Sequence, residues 1–252
     1  VEIPLEKIVL LAALAGEVLL KNGGETRRVE ETMEHMARAC GAAGVESFVI
    51  PTGVFLTVSD ASGQSLTMIR RVRDRTINLD RIAKVNELSR RLVERRIDPG
   101  SAKAILLRIS QERSGFSLPT SIAASGAIGA TTAVLQAGGF FEIGAAFVAA
   151  GAVRYIAHVV SRLQGTPVAY EFLGGAVVAV IGSVLYYYWP QLGRDSIIIG
   201  GIMPLVPGMA ITNALRDFIV GDLVSGLSRG MEALLTAVAV AMGVFIVLAT
   251  VL

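Results

Sequence analysis

The sequence predicts an α+β soluble N-terminal domain over residues 1–115, followed by an all-α bundle of five transmembrane helices over residues 116–252. Three observations predict it. Charge is split along the chain: residues 1–117 hold 18 of the 23 Lys and Arg and 15 of the 21 Asp and Glu. Long runs without an ionisable side chain fill the second half, the first of them covering residues 117–141. In the first half, helical spacing of apolar residues gives way to short β-rich runs and then returns.

The N-terminal elements follow in order. Residues 8–16 read IVLLAALAG, like the core of a secretory signal, but Glu2 and Glu6 stand where that signal is basic. The run is about half of the roughly 20 residues a span needs. A buried helix is expected instead, with Leu5, Ile8, Ala12, Ala15 and Leu19 on its apolar face and Gly23-Gly24 as its stop. Val29, Met33, Met36 and Cys40 mark a second helix, ended at Gly41 and Gly44. Three strands are expected at 47–50, 54–59 and 65–70, the last two joined by a turn at Asp60-Ala61-Ser62-Gly63. Ile82, Val85, Ser89 and Leu92 line a third helix. Asp98-Pro99 then caps a fourth, whose core face is Ala102, Ile105, Leu106 and Ile109. The order is ααβββαα.

Spans are expected at about 118–137, 140–161, 170–189, 195–215 and 231–252, each long enough for roughly 30 Å of hydrocarbon. They must be helices, since only a helix or a closed barrel satisfies its own backbone in lipid. Arg113, Arg162, Arg216 and Arg229 fall on one side and Arg194 on the other, which puts the N-terminal domain in the cytoplasm. Tyr186-Tyr187-Tyr188-Trp189 fits an aromatic belt at the outer end of the third span, and Glu142 an interfacial position. Gly126/Ala130 and Gly175/Ala179 have helix-contact spacing. Arg154 and His158 lie one turn apart on the second span, read either as a polar pair or as an arginine reaching back to the inner face.

The fourth span carries the chemistry. Pro204 and Pro207 remove amides that would bond the carbonyls of Gly200 and Met203, so the sequence expects unpaired backbone facing protein or a wet cavity. Helices broken in this way build substrate sites in transporters; a packing kink is the plainer reading. Asn213 and Asp217 lie one turn apart with Arg216 beside Asp217, either a solute-binding face or an interfacial cap. In the soluble half the densest charged motif is Glu25, Thr26, Arg27, Arg28, Glu30 and Glu31. It reads as a solvated ion-pair face or as a contact surface, and Pro51-Thr52 is a second motif.

Several classes are excluded. No glycine-rich phosphate loop, GxSxG elbow or HExxH is present, so neither catalysis nor a cofactor is expected. His35 and Cys40 are five apart, which does not put two metal ligands on one helix face, and no metal is expected. The basic residues are interleaved with acids, and nothing points to nucleic acid. One cysteine excludes an internal disulfide.

The segment Gly24-Glu25-Thr26-Arg27-Arg28-Val29-Glu30-Glu31-Thr32-Met33, then Pro51-Thr52-Gly53-Val54-Phe55-Leu56, resembles the bacterial threonine/serine exporter family. So does the later run from Gly201 through Pro207-Gly208, Asn213, Arg216-Asp217, Gly221-Asp222 and Ser225-Gly226 to Glu232. The resemblance covers nearly the whole chain in order. With the broken span, it implies Pro204, Pro207, Gly208, Thr212, Asn213, Arg216 and Asp217 as substrate-binding residues, and Asp217 and Asp222 as ion-coupling carboxylates. It implies a subunit of a secondary exporter moving small hydrophilic metabolites, threonine and serine or a dicarboxylate such as succinate, across a prokaryotic inner (cytoplasmic) membrane. Five spans, where single-chain members carry about ten, resemble the large subunit of a split system. The implied partners are a small hydrophobic subunit, further copies of the chain, or both. The competing expectation is a membrane-anchored enzyme or regulator working through the N-terminal domain.

Overall fold

The computed structural model describes residues 3–73, 75–112, 115–163 and 166–251. Arg113, used above for orientation, lies outside them, as do Glu2 and Leu252. The structure is mostly helical with one small antiparallel sheet. Its elements run α1 (Leu5–Lys21), α2 (Thr26–Ala39), β1 (Gly44–Ile50), β2 (Gly53–Ser59), β3 (Ser65–Arg71), α3 (Leu79–Val93) and α4 (Pro99–Gln111). There follow α5 (Leu118–Leu135), α6 (Phe140–Arg162), α7 (Pro167–Tyr188), α8 (Arg194–Ile202), a 3-10 turn (Met203–Leu205), α9 (Gly208–Ile219) and α10 (Leu223–Val251). Two compact units result. One holds residues 1–114 together with 213–229; the other holds 115–212 and 230–252.

In the first unit α1 is the central element. Its apolar run is buried along its length, with Val9, Ala12 and Ala15 wholly inaccessible. It packs on α2, β2 and β3, while α2 packs on β1. The sheet order is β1-β2-β3, and Val49, Val54, Leu56 and Val58 turn inward at the two-residue period of a half-covered sheet. Phe48 and Ile69 alternate outward and stay exposed. Asp60 closes the second hairpin by accepting from the N–H groups of Ser62 and Gln64, with Gly63 at φ +87°. Pro51 and Thr52 form the two-residue connection of the first hairpin, and Thr52 O accepts from Val72 N at 2.9 Å. Asp98 caps α4 through Ser101 N, with Pro99 in its first turn.

Among the described residues four helices, α5, α6, α7 and α10, are long and apolar enough to cross a membrane, or five if the bent pair α8/α9 counts as one. Only 22–39% of each apolar window of those four is buried within the protein. Apolar surface that large and open suits hydrocarbon better than water. Where helices do meet, they meet at glycine. A Cβ on Gly129 would lie 2.6 Å from Ala146 O, and one on Gly200 would lie 2.7 Å from Gly129 O, so neither position admits a side chain without moving backbone.

Two expectations about the late helices are revised. The last helix begins at Leu223 rather than near residue 231, because Asp222 Oδ1 accepts from Ser225 N and starts it a further two turns upstream. The fourth apolar segment is bent by 60° at its prolines, but the carbonyls of Gly200 and Met203 are not orphaned. The chain tightens to i→i+3 bonding there: Met203 N reaches Gly200 O, and Val206 N reaches Met203 O at 3.2 Å.

Candidate functional site

Two glycine-capped helix ends build the site, both inside the first unit. At the end of α1, Gly23 takes φ +91°. Its N–H bonds Leu20 O and the N–H of Gly24 bonds Leu19 O. A left-handed glycine followed by a 6→1 bond is the common way to close a helix, and it turns the next carbonyls outward. A Cβ on Gly24 would sit 2.9 Å from Leu19 O, so the close approach demands glycine. At the end of α9 the same device recurs: Gly221 takes φ +87°, its N–H bonds Phe218 O, and Asp222 N bonds Asp217 O at 2.9 Å.

Polar side chains join the two ends. Arg229 Nη2 donates to Gly24 O at 2.9 Å, and Asn213 Nδ2 donates to Gly23 O at 3.5 Å. Arg229 Nε stands 3.2 Å from Asp217 Oδ2, in a pair whose side chains are 8% and 2% exposed. Arg216 pairs with Glu25 and remains half-exposed. The Thr26 hydroxyl is buried beside Asp217 without a hydrogen bond of good geometry, and Ser225 is buried at the start of α10. The guanidinium of Arg229 thus neutralises a buried carboxylate and satisfies a helix-end carbonyl together, which is how a buried charge is tolerated.

The charged face of α2 has two sides. Arg27 and Glu31 form an exposed i,i+4 pair, and Arg28 is exposed. Glu30 and Glu34 point the other way: Glu30 Oε1 accepts from Val49 N at 2.9 Å, and Glu34 accepts from Ser47 Oγ at 2.8 Å. Burial pushes the Glu30 carboxyl above the usual carboxylate range. The Val49 N–H works against that, and the negative charges of Asp222, Glu34 and Asp217 add to it. The folded chain therefore holds a proton on Glu30 more tightly than the unfolded chain does. Its contribution to stability is full at low pH and is lost as pH rises through the shifted value. Glu30→Gln, which keeps the acceptor, is expected to raise the unfolding midpoint at about pH 7 and to change nothing at about pH 3, where both states carry the proton. Equal midpoints at the higher pH would show that Glu30 is solvated.

The expected site residues separate into two groups. Asn213, Arg216, Asp217 and Asp222 come together with Glu25 and Thr26. Their polar groups are turned toward protein: Asn213 and Arg216 donate to a backbone carbonyl and to Glu25, Asp222 accepts from Ser225 N, and Asp217 is ion-paired with Arg229. Pro204, Pro207, Gly208 and Thr212 belong to the other unit, where Gly208 and Thr212 are exposed. Pro51 is buried and Thr52 exposed at their hairpin turn. Sequence reasoning used Arg229 only as a marker of orientation. Its signal was that of a lone guanidinium at the edge of a long apolar run, where an unpaired charge is costly. Gly23 and Gly24 were read as a stop signal, and nothing in their spacing showed that their carbonyls would be acceptors.

Comparison with known proteins gives consistent results. The family model described as "Putative threonine/serine exporter" matches residues 10–251. A "Probable threonine/serine exporter" of Mycobacterium tuberculosis is 23% identical over 243 residues, which is 95% of this chain and 45% of that protein. This chain thus spans about half the length of that relative. A "Probable succinate transporter subunit YjjP" of Escherichia coli is 27% identical over 245 residues, covering 96% of this chain and 93% of the relative. The protein of the same name in Klebsiella aerogenes is 27% identical over 228 residues, or 90% and 87%. No solved structure matches.

Proposed function

The chain belongs to the threonine/serine exporter family, and on that premise we propose that it is a subunit of a secondary exporter. It moves a small carboxylate-bearing solute, an amino acid such as threonine or serine or a dicarboxylate such as succinate, out across the cytoplasmic membrane. The α+β unit lies on the cytoplasmic side, and a second, small hydrophobic subunit completes the pathway. The observation that carries the reading is the 60° break between α8 and α9 at Pro204 and Pro207, inside a helix pair otherwise apolar enough to span. A break of that kind marks a discontinuous helix, the element from which transporters commonly build solute sites, and Gly208 lies exposed beside it. The relatives' names support the solute class: threonine, serine and succinate all carry a carboxylate.

Within the candidate site the residues divide by role. Asp217, Arg229 and Asn213 hold the two glycine-capped ends together. Arg216 is the solute-facing member, because it is half-exposed and its partner is a single carboxylate, that of Glu25. A guanidinium can exchange one carboxylate for another at little cost, since both offer the same forked acceptor. The solute carboxylate thus displaces Glu25 from Arg216. Pro204, Pro207, Gly208 and Thr212 shape the rest of the path.

The test is efflux of labelled threonine and of labelled succinate from loaded host cells lacking the native copy of this chain and complemented with variants. Arg216→Gln is expected to cut efflux by about tenfold or more, the scale of a lost charge-assisted contact, with unchanged membrane insertion. The exchange Glu25→Arg with Arg216→Glu keeps the pair but reverses it, and is expected to restore stability without restoring efflux. Full efflux from Arg216→Gln would remove this residue from the path. If the unmutated chain changes the efflux of neither solute, the exporter reading falls.

A further inference from the structure

Among the described residues, the membrane unit contains one buried ionisable side chain, and the site above does not use it. Glu171, on the first turns of α7, is 6% exposed and is the only buried ionisable residue of that unit among the described residues. Its Oε1 accepts from Thr236 Oγ1 on α10 at 3.0 Å. Its Oε2 is buried with no hydrogen-bond partner. The other described carboxylates of the unit are treated differently. Glu142 sits at the start of α6 and accepts from Gly193 N at 3.0 Å, while Asp195 and Glu232 are exposed.

A carboxylate in that position has an unfavourable balance. Ionised, it would keep a full negative charge out of water with half of its acceptor capacity empty. No Lys or Arg pairs with it among the described residues. The charged group that acts on it from α10 is Glu232, of the same sign. Its neighbour on α7, Tyr170, is a weak acid that senses Arg154 of α6. Arg194, on α8, lies toward the other end of α7, where its ring contact is to Tyr186 and its carbonyl lies near Gly182. A metal cation is a poor match, since no group of three or more His, Cys, Asp or Glu side chains comes together among the described residues. A proton fits: added to Oε2, it cancels the charge and leaves Oε1 free to keep the Thr236 hydroxyl.

We propose that Glu171 is a proton-binding site of the membrane unit, taking up one proton on Oε2 from water and returning it to water as the unit opens, with Thr236 holding the carboxyl in place. The step is a simple balance of carboxylate and hydronium against carboxylic acid and water, and it needs no other reactant. Resting on the exporter reading, it names the driving ion: the proton, carried by Glu171 rather than by Asp217 or Asp222. Asp217 has the Arg229 guanidinium beside it as a counter-charge, which Glu171 lacks among the described residues, and Asp222 accepts from Ser225 N at the start of α10.

Glu171→Gln is the informative variant because it copies the shape of the protonated acid and keeps an acceptor for Thr236. Infrared difference spectra of the purified full chain in lipid vesicles, titrated with pH, isolate the residue by subtracting the variant from the unmutated protein. The expected result is a carboxylic-acid carbonyl band that persists above the ordinary carboxylate range and vanishes on further alkalinisation. Absence of the band, or a band that survives at every pH, overturns the proposal. In complemented host cells, Glu171→Gln should lower pH-gradient-driven efflux of labelled threonine or succinate by about tenfold, the scale of an ordinary coupling free energy, while leaving solute exchange intact. Loss of both activities, or of neither, overturns the coupling. If the unmutated chain moves neither solute, the exporter reading fails, and the infrared titration still decides whether Glu171 binds a proton.

Discussion

Asp217→Ala is expected to destabilise the full-length chain by about 3–5 kcal/mol, the cost of leaving one member of a buried ion pair alone. Arg229 is 7% exposed and cannot regain water when its partner is removed. Its Nη2 would still be tied to Gly24 O, which holds the charge in place rather than letting it swing outward. The physical signature lies in the rescue. Arg229→Met added to Asp217→Leu removes both charges, and replacing a buried pair with apolar groups of similar volume is often neutral. The double variant should therefore recover much of the loss. Recovery will be partial, because Gly24 O then also loses its donor. Unfolding of the purified chain in detergent by denaturant reads both numbers. A loss below about 1 kcal/mol for Asp217→Ala is what a solvated surface pair gives, and it would mean that water reaches the cluster.

Leu11→Ala should cost about 2–5 kcal/mol in the same measurement, the range for truncating a wholly enclosed leucine. Leu11 is 2% exposed and sits in the middle of the apolar stretch of α1, among the core residues of the first unit. The truncation removes three heavy atoms from a position enclosed by other elements, so the cavity closes poorly. A stretch acting as a detachable signal or a lipid-facing anchor would tolerate the change with almost no loss. A midpoint shift near zero would therefore reopen the question that IVLLAALAG raises on sequence alone.

Much of the fold is legible in the residues. The caps at Asp98 and Asp60, the glycine stops at Gly23 and Gly41 and the two-residue period of β2 are local features. Each depends on groups within a few positions of one another, and each is visible without a tertiary structure. The 60° break at Pro204 and Pro207 was legible for the same reason, since a missing amide is a property of one residue. Its consequence was not: the freed carbonyls were expected to need a cavity, and a single tight turn pairs them instead. The start of α10 was missed by about two turns because Arg229 and the polar residues before it look like a loop until Asp222 is seen capping a helix.

The candidate site was half legible. Asn213, Arg216, Asp217 and Asp222 stand out as polar residues at one-turn spacing after an apolar run, and Glu25 and Thr26 as the head of a charged helix. That these two groups meet could not be read, because a helix-end carbonyl has no residue type of its own. Gly24 O becomes the acceptor for Arg229, 205 positions away, only because a left-handed glycine turns it outward. The sequence by itself thus determined that a small sheet lies among the N-terminal helices and that long apolar helices follow. It also determined local caps and turns, since backbone propensity acts within a turn or two of each residue. Only the tertiary structure decided which charges are paired and which carboxylate is left with an empty acceptor. For Asp217 and Glu171 that depends on which face of one helix meets another far along the chain, and polar partners leave no periodicity from which such a meeting could be inferred.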